Sequence, residues 1–131
     1  MQKDTKIVIA EDDENLRFLV AHRLKAEGYE VIEVKDGNEA EDVITEEQPQ
    51  IVLLDWMLPG KEGSEICASL RSKGYEGYVI MTTAKSQDID KIDAYNFGVS
   101  DYVTKPFNMD VLVAILENKV KFLNSDRSEI H

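Results

Sequence analysis

The sequence predicts an α/β domain in which a parallel five-stranded sheet is covered by helices on both faces. Five short runs rich in branched apolar residues alternate with segments whose apolar residues recur at helical spacing. Short segments connect them, and the run at 51–55 is apolar throughout until its last residue. Such a run is typical of a strand that is buried on both faces, as in a parallel sheet between two helical layers.

Each element can be placed in order along the chain. Strands are expected at 6–10, 29–34, 51–55, 77–83 and 100–105. The first helical pattern begins at Glu14 and stops at Gly28. Shorter helical segments are expected at 37–48, 64–74 and 86–98, and a last helix at 108–123.

Composition excludes several classes of function. The chain has 131 residues and a net charge of -11, with no basic cluster, so direct nucleic-acid binding is not expected. No apolar run is long enough to span a membrane, and the N-terminus has no signal-peptide core. The single cysteine, Cys67, excludes an internal disulfide and fits a reducing compartment; core filling is its simplest role. We therefore expect a cytoplasmic protein.

Polar residues stand at the carboxyl ends of the predicted strands, which is the edge where open α/β sheets bind ligands. Glu11 and Asp12 follow the first strand, and Asp55 ends the third. Thr83 ends the fourth strand and Lys105 the fifth. Each has a structural explanation when taken alone: a capping acid, a solvated helix start, a strand-favouring threonine or a surface lysine. Together they predict a charged site.

Four segments in order resemble the receiver domain of bacterial two-component response regulators: IVIAEDDENLR, IVLLDWMLPGKEGSEIC, IMTTAKS and GVSDYVTKPF. The resemblance covers residues 5–123. It implies a flavodoxin-like (βα)5 three-layer sandwich with strand order 2-1-3-4-5. We therefore assign 1–124 to a receiver domain, and the polar composition of 125–131 predicts a C-terminal tail.

The resemblance implies a magnesium site, with Mn²⁺ as a substitute ion. Asp12 and Asp55 would bind the metal directly, and Glu11 through a water molecule. The backbone carbonyl of Met57 resembles the family's third protein ligand. Hard oxygen ligands of this kind suit Mg²⁺. Asp13, just past the acidic pair, is expected to cap the first helix instead.

The resemblance also assigns catalytic and switch residues. Asp55 resembles the phosphate-accepting aspartate, and Lys105 the lysine that binds a phosphoryl oxygen. Thr83 resembles the hydroxyl residue that hydrogen-bonds the new phosphate. Tyr102 resembles the aromatic switch of the fifth strand, which turns inward when Thr83 moves. The family has a cis peptide bond at the position of Lys105–Pro106.

The implied function is a phosphorylation-dependent switch that takes a phosphoryl group from a sensor histidine kinase or a histidine phosphotransfer protein. Its output face would combine the fourth helix, the fifth strand and the fifth helix. Such a protein promotes only its own phosphorylation and dephosphorylation, so it is not a conventional enzyme. The alternative is a pseudo-receiver that acts as a phosphorylation-independent interaction module.

Two enzyme classes on a similar sheet fit less well. A flavin-binding protein would want a phosphate cradle after the first strand, where this chain has acids. A phosphatase with an aspartyl nucleophile would be expected to carry a second acid two residues after Asp55, where Met57 stands.

Two features leave alternatives open. Trp56, beside Asp55, is either a gate to the site or a surface aromatic residue. In the last helix, Val111 and Ile115 replace the glutamate and arginine that form salt bridges between subunits in receivers with winged-helix DNA-binding domains. That helix either fills the core with a few exposed residues, or contacts a second copy or a downstream effector; its apolar residues are Val111, Leu112, Ile115, Leu116, Val120 and Phe122.

Overall fold

The computed structural model describes residues 5–84 and 95–130. In that part of the chain, five parallel strands form one sheet in the order β2-β1-β3-β4-β5, which confirms the predicted fold class. The strands are β1 (Lys6–Ala10), β2 (Glu30–Val34), β3 (Ile51–Asp55), β4 (Tyr78–Thr83) and β5 (Asp101–Thr104). The order places the ends of β1 and β3 side by side, with β4 next to β3.

The helices are α1 (Glu14–Ala26), α2 (Gly37–Glu47), α3 (Gly63–Ser72) and a C-terminal helix (Met109–Ile130). The Asp13 carboxylate caps α1 as predicted, since it accepts a hydrogen bond from the backbone N–H of Leu16 at 3.0 Å. Most of the predicted helix at 86–98 lies outside the described residues.

The predicted end of the last helix was wrong. We expected it to stop at Leu123, whereas it continues to Ile130. Residues 124–130 include neither proline nor glycine, so nothing in the local sequence forces the helix to end once its preceding turns have formed. The boundary between a receiver domain and a tail after residue 124 stays a prediction.

The core consists of two clusters, one on each face of the sheet. On one face, alternate strand residues pack against α2 and α3 through Ala40, Ile44, Ile66, Cys67 and Leu70. On the other face they pack against α1 and the C-terminal helix through Val20, Ala21, Leu24, Leu112, Leu116 and Val120. All of β3 is buried, and Asp55 is its last residue, so the acid lies at the sheet edge at the end of a buried strand.

Among the described side chains of the C-terminal helix, two large apolar ones remain on the surface. Val111 is 54% exposed and Phe122 57% exposed, while Ile115 is half-buried. The core explanation therefore covers most of the apolar residues of this helix, but not these two. None of the described helices has the length and apolar character needed to cross a membrane.

Candidate functional site

Strand register brings the predicted site residues to one edge of the sheet. Asp55, the last residue of β3, lies opposite Thr82 of β4, and Thr83 lies opposite Thr104 of β5. Glu11 follows the last residue of β1 directly, and Lys105 follows β5. The structure thus brings together the acids, the hydroxyl group and the ammonium group that the sequence had placed at the strand ends.

Lys105 connects two buried carboxylates. Its Nζ lies 2.6 Å from Glu11 Oε1 and 3.2 Å from Asp55 Oδ2. Its backbone N–H donates to the carbonyl of Thr83 at 2.7 Å, which fixes the start of the segment that carries the side chain. The Lys105–Pro106 peptide bond is cis, as the family resemblance implied.

Three carboxylates form a cluster that could hold a metal ion. One oxygen from each of Glu11, Asp12 and Asp55 can be chosen so that all three lie within 4.8 Å of one another. Glu11 and Asp55 are buried and Asp12 is exposed. Met57 lies beside the cluster, because its backbone N–H donates to Asp55 Oδ1 at 3.2 Å.

The charges at this edge fit a divalent cation. Among the described residues, the three carboxylates outnumber the one ammonium group that contacts them. Like charges held this close repel each other unless a cation offsets them. All of the side-chain donors are hard oxygen atoms, which suit Mg²⁺ and Mn²⁺ better than softer metals.

Burial and charge act in opposite directions on the paired groups. Burial raises the pKa of Glu11, assisted by the nearby Asp55 charge and opposed by the hydrogen bonds from Lys105 and Asp13. Burial on its own would lower the pKa of Lys105. The hydrogen bond to Glu11 and the charge of Asp55 outweigh it, and the pKa of Lys105 is raised overall. The lysine therefore carries its positive charge at neutral pH.

Thr83 and Tyr102 lie on the same face of the sheet. Thr83 pairs with Thr104 and Met81 pairs with Tyr102, so the two predicted switch residues are diagonal neighbours across β4 and β5. Thr83 is fully buried. The Tyr102 ring is half-buried and packs against the core cluster on the α2 and α3 side.

Trp56 belongs to the core, and the prediction of a surface aromatic residue was wrong. The side chain is 6% exposed, and its ring meets the edge of Phe97 with centroids 6.4 Å apart. Its backbone N–H donates to the carbonyl of Thr82 at 2.9 Å. A branched apolar run followed by an acid does not indicate that the next side chain packs into the core.

Two polar groups near the site were missed by sequence reasoning. Arg17 of α1 donates from its guanidinium to the backbone carbonyl of Glu11 at 2.8 Å, which helps to fix the backbone at the acidic pair. Glu41 of α2 is buried at the loop that follows Asp55. Its position in the sequence between Ala40 and Ile44, both core residues, is the local signal that it faces inward.

Comparison with known proteins identifies the class. The sequence profile of the response regulator receiver domain matches residues 7–117. The BeF3-activated N-terminal receiver domain of Klebsiella pneumoniae RstA is 38% identical, with a TM-score of 0.81, covering 86% of this chain and 96% of that one. A receiver domain from the Francisella response regulator 1452 is 27% identical, with a TM-score of 0.87, covering 91% and 98%. The BeF3-activated DrrB receiver domain is 32% identical, with a TM-score of 0.82, covering 89% and 97%.

This chain belongs to the response regulator receiver domain family. Receiver domains are the signalling switches of two-component systems rather than conventional enzymes. They work with histidine kinases or phosphotransfer proteins and bind Mg²⁺ at an acidic site. This chain has an acidic cluster of Glu11, Asp12 and Asp55 at the same sheet edge as Lys105.

Proposed function

We propose that this receiver domain is a phosphorylation-dependent switch in which Asp55 accepts a phosphoryl group from a histidine of a sensor kinase or phosphotransfer protein. The observation that carries the proposal is the bridge made by Lys105 between Glu11 and Asp55, next to Asp12. The carboxylate proposed as the nucleophile, the acidic pair proposed to bind the metal and the ammonium group of Lys105 lie within one small volume, which supports these roles.

The transfer is a displacement at phosphorus. An oxygen of Asp55 attacks the phosphorus atom, an O–P bond forms, and the P–N bond to the donor imidazole breaks, with the imidazole leaving as the free histidine. The acceptor is a weak nucleophile toward an anionic donor unless the charge of both is offset. Glu11 through a water molecule, Asp12, Asp55 and the carbonyl of Met57 would hold Mg²⁺, which supplies part of that neutralisation.

Lys105 supplies the rest of the positive charge. Its ammonium group lies 3.2 Å from Asp55 Oδ2, close enough to bind an oxygen of a phosphoryl group on that carboxylate. Because Glu11 and the Thr83 carbonyl already position the lysine, little reorganisation is needed when charge develops. By the same means, the domain promotes hydrolysis of its own acyl phosphate and no other reaction.

The response to phosphate would begin at Thr83. Its hydroxyl group would move to hydrogen-bond a phosphoryl oxygen, and the space it leaves would let the diagonal neighbour Tyr102 turn further inward. Phosphate would then bias a two-state equilibrium of the face formed by the 86–98 segment, β5 and the C-terminal helix. Val111 and Phe122, exposed on that helix, stay the predicted contacts for a second copy or an effector.

Phosphorylation of the purified chain tests the proposal. We expect phosphoramidate with Mg²⁺ to add one phosphoryl group, seen by intact mass, because its P–N bond is chemically like that of phosphohistidine. Asp55→Asn should abolish the adduct, and EDTA should suppress it. Asp42→Asn is the matched control, since it removes an exposed aspartate from α2 and should leave the adduct unchanged.

Two outcomes would contradict the proposal. An adduct that persists in Asp55→Asn would place the acceptor elsewhere. No adduct under conditions where another receiver domain reacts would favour the pseudo-receiver instead. The presence of all the acids, the lysine and the threonine argues against that alternative, because a locked module has no need to keep them together.

A further inference from the structure

Glu41 is a buried carboxylate outside the acceptor site. It is 7% exposed, on the inner face of α2. Its Oε1 accepts from Lys61 Nζ at 2.5 Å, and its Oε2 accepts from Ser69 Oγ at 2.5 Å and from Lys73 Nζ at 2.6 Å. The carboxylate thus joins α2 to α3 and to the loop between β3 and α3.

Stability alone does not explain this ionic network, in which Glu41 is buried while the Lys61 and Lys73 side chains are 32% and 56% exposed. Burying a carboxylate costs free energy, and ion pairs with solvent-exposed lysines usually return little of it. Removing one partner is a different matter, because it leaves a buried charge with fewer donors. A role in fixing geometry is the better explanation when one partner lies on a functional loop.

Lys61 lies on such a loop. Residues 56–62 connect Asp55 to α3, and Met57 is the second of them. The base of the loop is closed by the Gly63 N–H, which donates to the Trp56 carbonyl at 2.9 Å. Because the loop is short and closed at its base, a contact that fixes Lys61 also limits the positions open to Met57.

The part of the loop around Pro59 and Lys61 contacts the first turn of α2. The Gly37 N–H donates to the Pro59 carbonyl at 2.8 Å. A Cβ atom at Gly37 would collide with the backbone of Lys61, which shows how closely the first turn of α2 approaches the loop. The Glu41–Lys61 ion pair is the side-chain contact that completes this attachment.

We propose that Glu41 is a positioning residue for the metal site: by holding Lys61 it fixes the loop that presents the Met57 carbonyl before the ion binds. This inference rests on the proposed function, because it assumes that the Glu11, Asp12 and Asp55 cluster binds a divalent cation. Glu41 does not touch the ion. Its effect is to reduce the free energy needed to order the Met57 backbone carbonyl when the ion binds.

The structure offers a matched pair of variants. Lys61→Met and Lys73→Met each remove one ammonium group from the same carboxylate, but only Lys61 is on the loop. Each variant also removes one positive charge, which by electrostatics alone would strengthen cation binding. Weaker binding in Lys61→Met therefore cannot be a simple charge effect.

Titration with Mn²⁺, followed by the electron paramagnetic resonance signal of the free ion, measures the affinity. We expect Lys61→Met to raise the dissociation constant about five- to ten-fold, near the lower end of losses caused by removing a group that supports a metal ligand. Lys73→Met should stay close to wild type, and Lys61→Arg should retain the affinity because it keeps a donor to Glu41. Urea unfolding of each variant shows whether it is folded.

The outcomes separate this inference from the proposed function. Equal affinities in wild type, Lys61→Met and Lys73→Met would overturn the positioning role and leave the metal site intact. Equal losses in the two methionine variants would assign Glu41 to general stability only. An absence of Mn²⁺ binding in the wild type would remove the metal site itself, and the positioning role with it.

Discussion

At the scale of single residues, the donors around Glu41 decide its ionisation. Burial on its own would raise the pKa of this carboxyl group. Hydrogen bonds from Lys61, Lys73 and Ser69 outweigh burial and lower the pKa to about 2. The charged form is thus the native form, and it is held by three side chains from two other parts of the chain.

This shift predicts how stability depends on acid. The folded pKa of Glu41 is about 2 and its ordinary value is 4.5, so between these values the unfolded chain binds the proton more readily. The contribution of Glu41 to the free energy of unfolding is present above pH 4.5 and is lost as the pH falls toward 2. We expect Glu41→Gln to be less stable than wild type near neutral pH and to lose less stability on acidification.

Urea unfolding at a series of pH values from about 5 downwards measures the two slopes. Other carboxylates titrate in both proteins, so the difference between the slopes isolates Glu41. Parallel curves for wild type and Glu41→Gln would show that the network does not hold the charged form.

Residues also differ in how well the sequence predicted them. Asp55, Thr83 and Lys105 stand at strand ends, where the fold fixes their neighbourhood, and the structure brings them together. Glu41 could not be predicted, because its donors lie 20 to 32 residues away along the chain. An acid on a surface helix is usually solvated, and only tertiary packing makes this one an exception.

At the scale of elements, the C-terminal helix begins at a side-chain cap. Asn108 Oδ1 accepts from the backbone N–H of Asp110 at 2.8 Å and, less closely, from that of Val111 at 3.3 Å. These groups would otherwise lack partners within the helix. The helix that follows the cap packs onto the sheet through Leu112.

Removal of this cap should destabilise the domain. We expect Asn108→Ala to lower the free energy of unfolding by about 1 kcal/mol, the typical cost of losing an asparagine cap. Asn15→Ala is a matched control, because Asn15 is exposed within the first turn of α1 and alanine suits a helix at least as well. Equal effects of the two substitutions in urea unfolding would contradict the capping role.

The ends of elements were predicted unequally. The starts and ends of the strands lie within one residue of expectation, since turn residues and apolar runs define them sharply. The end of the C-terminal helix was misplaced by seven residues, from Leu123 to Ile130. The polar composition of 125–131 predicts a tail, but polarity alone does not end a helix, whereas a proline or glycine that interrupts its hydrogen bonds does.

At the scale of the whole molecule, negative charge is in excess, with 26 acidic and 15 basic residues. Part of the excess lies at the sheet edge, where one oxygen from each of two buried acids and one exposed acid can be chosen so that all three lie within 4.8 Å of one another. Repulsion within that cluster destabilises the metal-free fold. A ligand that binds only the folded state should therefore stabilise the domain as a whole.

Magnesium is expected to raise the melting temperature. At about ten times the dissociation constant, one bound ion adds about 1.4 kcal/mol to the free energy of unfolding. For a domain of this size that corresponds to about 5 °C. Sodium chloride at matched ionic strength is the control for screening, and Asp12→Asn should remove most of the rise. The same rise with sodium chloride, or in Asp12→Asn, would show that the ion does not act at this cluster.

The placement of Trp56 gives the protein an optical probe of its own. It is the only tryptophan, it follows Asp55 directly, and its ring is enclosed against Phe97. All indole emission from the chain therefore originates beside the acceptor, from an environment with little water. With excitation at a wavelength that only indole absorbs, so that the tyrosines stay dark, the wavelength and intensity of that emission can follow events at the carboxylate in real time without a dye or a label.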